Sequence, residues 1–302
     1  MKNYIINIIN NYIHLFLIPF IAFLLSSCEK VIDINLAESK PQMVVDAFIN
    51  NLPETQLIKL SYTSAYFNNN ASPAVLGAKV SLKNETSGKV FEFTDKNSEG
   101  NYTRNFNTTN GLLTVSDKYS LTIIHENDTL VSQSVLNPVS VIDSLSYVYK
   151  KGVTTKLNGY VASFWAKDLP KRKDFYWIRT SRNGKLINQP KYLNFAWDAS
   201  YEGWDTDGNT FFERIRKAIT PFDEPFKLNE AVKVQLWSIN EPTFRFFYQA
   251  QTQLNNQGLF AQAPTNLKTN ILNKNTKSPN KPVGWFLMSA VSEKEIMIKK
   301  EF

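Results

Sequence analysis

Apolar and polar positions alternate in short segments between residues 43 and 123, as expected for half-buried β-strands. The segments 58–62 (IKLSY) and 78–82 (AKVSL) show the alternation most clearly. Turn-forming residues such as those at 84–88 (NETSG) separate one segment from the next. Several short strands at this spacing predict that residues 41–140 form an immunoglobulin-like or transthyretin-like β-sandwich.

A second series of apolar segments follows a predicted joint at residues 138–143. The strands predicted after the joint cover residues 145–149, 159–166, 175–180, 231–239 and 285–290. The whole chain is therefore predicted to be mainly β, with residues 141–302 as a second β-rich domain.

One segment of this second domain has the pattern of a helix. Asn240 is a good N-cap residue, and Pro242 lies in the first turn, where its missing N–H is tolerated. Phe244, Phe247 and Leu254 then share one face, and this stripe is interpreted as core packing. A single inserted α-helix is predicted at about 241–256, with Gly258 at its end.

The N-terminal residues have the features of an export signal. Residues 13–25 are apolar, which is too short for a membrane span of roughly 20 residues. They lead into Leu25-Ser26-Ser27-Cys28, which resembles the bacterial lipobox, and Cys28 is the single cysteine of the chain. An ordinary signal peptide with a chance cysteine is the alternative. We predict a lipoprotein signal peptide at 1–27, lipid attachment at Cys28 and a tether at 28–40.

Charge adds little to this interpretation. The net charge of +7 falls to +6 when residues 1–27, which contain Lys2 and no acidic residue, are removed. The one basic run, Lys171-Arg172-Lys173, is interpreted as a solvated turn. For an exported lipoprotein we expect no nucleic-acid partner.

Short segments along the mature chain match a known family. They are Ile32-Asp33-Ile34 after the lipobox, VVDAFI (44–49), GAKVSL (77–82), YSLTI (119–123), IDSLS (142–146), PTNLKTNI (264–271) and GWFLMSAVS (284–292). The sequence thus resembles a Bacteroidota lipoprotein family catalogued as domain of unknown function 4249. The resemblance implies an outer-membrane lipoprotein with an immunoglobulin-like front domain, of a kind found beside TonB-dependent receptors. It supplies no catalytic residues.

Residues suited to catalysis or metal binding are scarce. After cleavage, His125 is the single histidine, and it is predicted to be a solvated residue at a strand end. An EF-hand beginning at Asp205 would need glycine and glutamate where Thr210 and Arg216 stand. We therefore predict no catalytic residue, no metal and no cofactor.

The segment 195–212 (FAWDASYEGWDTDGNTFF) is the best candidate for a binding site. Aromatic rings beside carboxylates suit a glycan or peptide ligand. The candidate ligand-binding residues are Trp197, Asp198, Tyr201, Glu202, Trp204 and Asp205. Asp207-Gly208 is predicted to be a hairpin turn. One alternative is that the aromatic residues only cover their own domain, and another is that two carboxylates serve a glycosidase.

Three functions remain open from the sequence. The leading hypothesis is a non-enzymatic, lipid-anchored accessory protein that helps a TonB-dependent receptor capture nutrients. The second is a structural or adhesion lipoprotein with protein partners only. The third is a carboxylate-dependent glycoside hydrolase. The sequence does not distinguish the cell surface from the periplasmic face of the outer membrane.

Overall fold

The computed structural model describes residues 40–64, 70–109, 111–152, 158–203, 205–256 and 267–300. All of them belong to one compact unit, Lys40–Phe302. The predicted signal peptide, Cys28 and most of the tether lie outside the described residues, as does Gly258.

The predicted mainly β fold is confirmed. The first half contains β1 (Met43–Asn50), β2 (Thr55–Tyr62), β3 (Lys79–Asn84), β4 (Val90–Phe93), β5 (Asn101–Asn105), β6 (Lys118–His125) and β7 (Asp128–Val135). The second half contains β8 (Ile142–Lys150), β9 (Gly159–Ala166), β10 (Phe175–Arg182), β11 (Lys185–Leu186), β12 (Asn194–Trp197), β13 (Ala231–Ile239), β14 (Leu272–Asn273), β15 (Val283–Ser289) and β16 (Val291–Met297).

Two sheets, built from β1–β7 with β14 and β15, form a sandwich. One has the strand order β15-β1-β2-β5, and the other has the order β14-β7-β6-β3-β4. Alternate residues of each strand enter a shared core, for example Val45 and Ala47 of β1 with Leu121 and Ile123 of β6. The period-two pattern of the sequence thus specifies which side of each strand is buried.

Strand β15 comes from the far end of the chain and pairs in parallel with β1. Gly284 makes this pairing possible, because a Cβ atom there would lie 2.1 Å from the carbonyl oxygen of Val45. Its φ of +101° also favours glycine. The sandwich therefore contains a strand from beyond the predicted boundary at residue 140. That boundary itself stays a prediction.

A five-stranded sheet and a two-stranded ribbon build the rest of the body. Strands β11, β10, β13 and β16 form one sheet, with β12 also pairing to β10, and β8 pairs with β9 as a ribbon. One face of β10 and β13 packs on β9 through residues such as Tyr176, Val234 and Phe164. The opposite face carries Phe175 and Trp237, which belong to a separate aromatic core.

The described residues contain two α-helices, where the sequence predicted one. Helix α1 (Glu213–Lys217) is short and was not predicted, because five residues leave no periodic signal. Helix α2 (Glu241–Leu254) confirms the predicted helix. The Asn240 carboxamide caps it by accepting the backbone N–H of Thr243 at 2.9 Å. No helix of the described part is long and apolar enough to cross a membrane.

Candidate functional site

An open groove of about 600 Å³ lies between residues 193–202 and helix α2. Its aromatic lining consists of Phe195, Trp197, Tyr201, Phe244 and Tyr248. A volume of this size is in the range of small-ligand sites, which are mostly apolar with a few polar groups. The groove is therefore the candidate functional site.

Strand β12 supplies the floor of the groove. Phe195 and Trp197 are two residues apart on this strand and so point to the same side of the sheet. Phe195 stacks on Phe247 of helix α2, with ring centroids 5.5 Å apart and an interplanar angle of 17°. This contact joins the floor to the helix that forms one wall.

Trp197 is held in place on several sides. Its ring centroid lies 5.4 Å from that of Phe175, and the Lys173 ammonium lies 4.2 Å from the indole centroid. The backbone of Gly203, where φ is +67°, also lies against the indole ring, because a Cβ atom there would be 2.3 Å from it. These contacts together restrict the orientation of the Trp197 ring. Lys173 was predicted to be only part of a solvated turn, but it also covers Trp197.

Helix α2 supplies the opposite wall. Phe244 and Tyr248, one turn apart, stack with centroids 6.5 Å apart and an angle of 17°. Gln251 donates to the carbonyl oxygens of Pro190 and Leu193, both at 3.0 Å, which clamps the helix to the 3-10 helix Pro190–Tyr192.

The interpretation of the helical stripe as core packing was only partly right. Phe247 is buried, as predicted. Phe244 packs on the core and also lines the groove. Leu254 is exposed. The helix is thus shared between the core and the groove, which its amphipathic pattern did not distinguish.

Two arginines and one carboxylate border the aromatic rings. The Arg214 guanidinium lies 5.8 Å from the Tyr201 ring centroid, and Arg245 pairs with Glu241 at 2.6 Å. Glu202 is exposed at the same groove. Burial raises the pKa of Tyr201 above its usual value of 10.0, while Arg214 lowers it. The phenol therefore stays protonated at neutral pH and can donate a hydrogen bond.

The structure describes five of the six predicted binding residues. Trp197, Tyr201 and Glu202 line the groove. Asp198 is buried instead, and its carboxylate accepts the backbone N–H of Asp174 at 2.8 Å, so it supports the fold of the loop. Asp205 is exposed and does not line the groove, while Trp204 lies outside the described residues.

The predicted hairpin at Asp207-Gly208 is wrong. The two residues form a turn, but the turn does not join two paired strands. Strand β12, which precedes it, pairs with β10. The Asp207 carboxylate instead accepts the backbone N–H of Lys171 at 2.8 Å, and Thr210 forms a bridge with Lys167. Turn chemistry was recognised correctly, but the partner lies far away in sequence.

Buried aspartates attach the groove loop to the turn before β10. Asp168 accepts the phenol of Tyr176 at 2.6 Å and the backbone N–H of Gly208 at 3.1 Å. Asp174 accepts Arg172 Nε at 2.8 Å. Burial raises the pKa of Asp174 to about 6, against the opposing effect of Arg172.

His125 is more sheltered than predicted. It ends β6, but its side chain is only 16% exposed, and its Nε2 lies 3.2 Å from the Tyr62 hydroxyl. In the described ranges, no three His, Cys, Asp or Glu side chains are placed to hold a metal ion.

The structure thus shows a mainly β protein with a β-sandwich and an aromatic-lined groove. The sequence matches the family described as Domain of unknown function (DUF4249) over residues 29–295, and the chain belongs to this family. A search of curated proteins found no match.

Proposed function

We propose that this protein is a lipid-anchored binding protein of the outer membrane that assists a TonB-dependent receptor in nutrient capture. The anchoring rests on the sequence around Cys28, where an apolar segment ends in Ser-Ser-Cys. The aromatic groove is the observation that supports the binding role.

The ligand class follows from the lining of the groove. Trp197, Tyr201 and Tyr248 offer flat apolar faces, and the sugar rings of a glycan or the side chains of a peptide stack on such faces. Arg214 and the Tyr201 hydroxyl supply hydrogen-bond donors, and Glu202 supplies an acceptor. We propose a glycan or peptide ligand for this groove.

Binding is favoured over hydrolysis for a geometric reason. Glycoside hydrolases that use two carboxylates place both beside the bond that is cut. Among the described residues that line the groove, Glu202 is the one carboxylate, and Asp198 is turned into the protein. The described lining therefore offers rings to hold a ligand and no second carboxylate to form an acid–base pair with Glu202.

A double substitution tests the groove. Tyr201→Ala with Tyr248→Ala removes two exposed rings, so we expect the full chain to stay folded and to lose most of its binding to a glycan and peptide array. The matched control is Tyr149→Ala with Trp165→Ala, since both rings are exposed on the β8–β9 ribbon, away from the groove. Equal binding by the two double variants would contradict the proposal.

A further inference from the structure

A second cavity lies on the other side of the aromatic core and shares no lining residue with the groove. It has a volume of about 440 Å³ and is formed where the outer face of β1 and β2 meets the outer face of β10 and β13. The charged residues that line it are Asp46, Glu54, Lys59 and Arg179. We call this cavity the Arg179 cleft.

Arg179 is held on an aromatic platform. Its guanidinium carbon lies 4.7 Å from the ring centroid of Trp177 and 4.6 Å from that of Trp237. The two ring centroids are only 5.7 Å apart, so the cation covers both rings and is not inserted between them. Contact with two indole rings restricts the rotamers of the side chain and orients its donors in advance.

The donors of Arg179 lack acceptors within the part of the chain that the structure describes. Its Nε is buried and has no hydrogen-bond partner. Burial lowers the pKa of Arg179, while Glu54 and Asp46 raise it from a distance. Among the described contacts, both carboxylates act on the guanidinium through electrostatic attraction without a hydrogen bond to it. Folded proteins seldom leave a buried donor of a charged group without an acceptor.

The two acidic residues of the cleft argue against a simple anion as its ligand. Asp46 and Glu54 would repel a ligand that carries only negative charge. Burial raises the pKa of the Asp46 carboxyl, while Lys59 and Arg179 lower it. A ligand with both charges satisfies both sets of groups.

We propose that the Arg179 cleft binds a zwitterionic ligand of the amino-acid type. The ligand carboxylate accepts hydrogen bonds from Arg179, and its ammonium group lies toward Asp46 and Glu54. An arginine binds a carboxylate through two parallel N–H donors, which suits a side chain already fixed in orientation. The size of the cleft suits a free amino acid or the end of a short peptide.

Proton–nitrogen NMR of the Arg Nε–H groups tests this proposal on the full chain in detergent. The Arg179→Lys variant identifies the Arg179 signal by its loss. We expect glycine or glycylglycine to move this signal saturably. The compound that binds more tightly shows whether the cleft prefers a free amino acid or the end of a peptide. Propionate, which lacks the ammonium group, should bind more weakly, and choline chloride at equal ionic strength should leave the signal in place.

Three variants distinguish specific binding in the Arg179 cleft from a general effect of ions on the protein. Arg179→Lys lacks the NMR reporter, so its binding is measured by isothermal titration calorimetry beside that of the parent chain. The better zwitterion should bind roughly tenfold or more weakly, because the variant loses the paired donors. Asp46→Asn should weaken the zwitterion and strengthen propionate, since it removes a negative charge. The matched control is Arg104→Lys: Arg104 also lies over two rings, those of Phe91 and Phe106, and its Nε is also buried without a partner.

The outcomes that overturn the proposal are distinct from failure of the groove. They are an Arg179 signal that neither zwitterion moves, propionate binding as tight as that of the zwitterions, or an equal loss of binding in Arg104→Lys. None of these measurements involves Tyr201 or Tyr248. The Arg179 cleft and the groove are therefore tested independently.

Discussion

Phe247→Ala should destabilise the protein strongly, because this ring joins helix α2 to the rest of the molecule. Phe247 is only 8% exposed, and its ring centroid lies 4.8 Å from Trp177, 5.5 Å from Phe48 and 5.5 Å from Phe195. Loss of a buried phenylalanine costs about 3–5 kcal/mol, and we expect about 4 kcal/mol here because the surrounding rings come from different elements and cannot close the gap.

Equilibrium urea unfolding measures this change. With a denaturant slope of about 3 kcal/mol per molar, a loss of about 4 kcal/mol lowers the unfolding midpoint by about 1.3 M. Tryptophan fluorescence follows the transition directly, since Trp177 is a contact of the deleted ring.

The next residue of the helix provides the control. Tyr248 is 60% exposed and lines the groove, so Tyr248→Ala should change the free energy of unfolding by no more than about 0.5 kcal/mol. If the two variants lost equal stability, or if Phe247→Ala cost less than about 1 kcal/mol, Phe247 would not be the residue that joins helix α2 to the core.

Two further predictions concern the pH dependence of stability and the membrane anchor. The folded protein holds a proton on Asp174 up to about pH 6, whereas an unfolded aspartate releases it near 3.8. The free energy of unfolding should therefore fall as pH rises through this window and level off above it, and Asp174→Asn should remove that part of the pH dependence; a slope unchanged in the variant would contradict the assignment. Cys28→Ser should move the protein from the membrane fraction to the soluble fraction and abolish labelling with radioactive palmitate, whereas an unaltered distribution would exclude lipid anchoring at Cys28.

Strands with a strict alternation were predictable from sequence, and those without it were not. Strand β13, predicted at 231–239, has these bounds in the structure. Strand β5 (NYTRN) is almost wholly polar and was not predicted. In β7, two of the buried positions are Ser132 and Ser134, so the buried face is not apolar in sequence. A buried serine is tolerated there because its hydroxyl is hydrogen-bonded. The Ser134 hydroxyl accepts the backbone N–H of Met288, which is remote in the chain.

The candidate site was predictable only on one side. The segment 195–212 supplied Trp197, Tyr201 and Glu202, because aromatic and acidic residues cluster there within a few positions. Tyr248 of the opposite wall is distant in sequence, and its helix was interpreted as packing alone. Which face of an amphipathic helix borders a cavity depends on the shape of its partner surface, and the hydrophobic pattern does not contain that shape.

By itself, the amino-acid sequence determined the local elements: the period of two in the strands, the Asn240 cap with Pro242 in the first turn of helix α2, and the apolar segment before Cys28. Each depends on residues within a few positions of one another, where backbone geometry and hydrogen bonding act directly. The tertiary structure alone decided that Val45 lies beside Gly284, that Trp177 and Trp237 together support Arg179, and that helix α2 closes the groove. These arrangements depend on which distant surfaces pack together when the chain buries its apolar area. Such packing is determined by all the elements at once and not by any local segment.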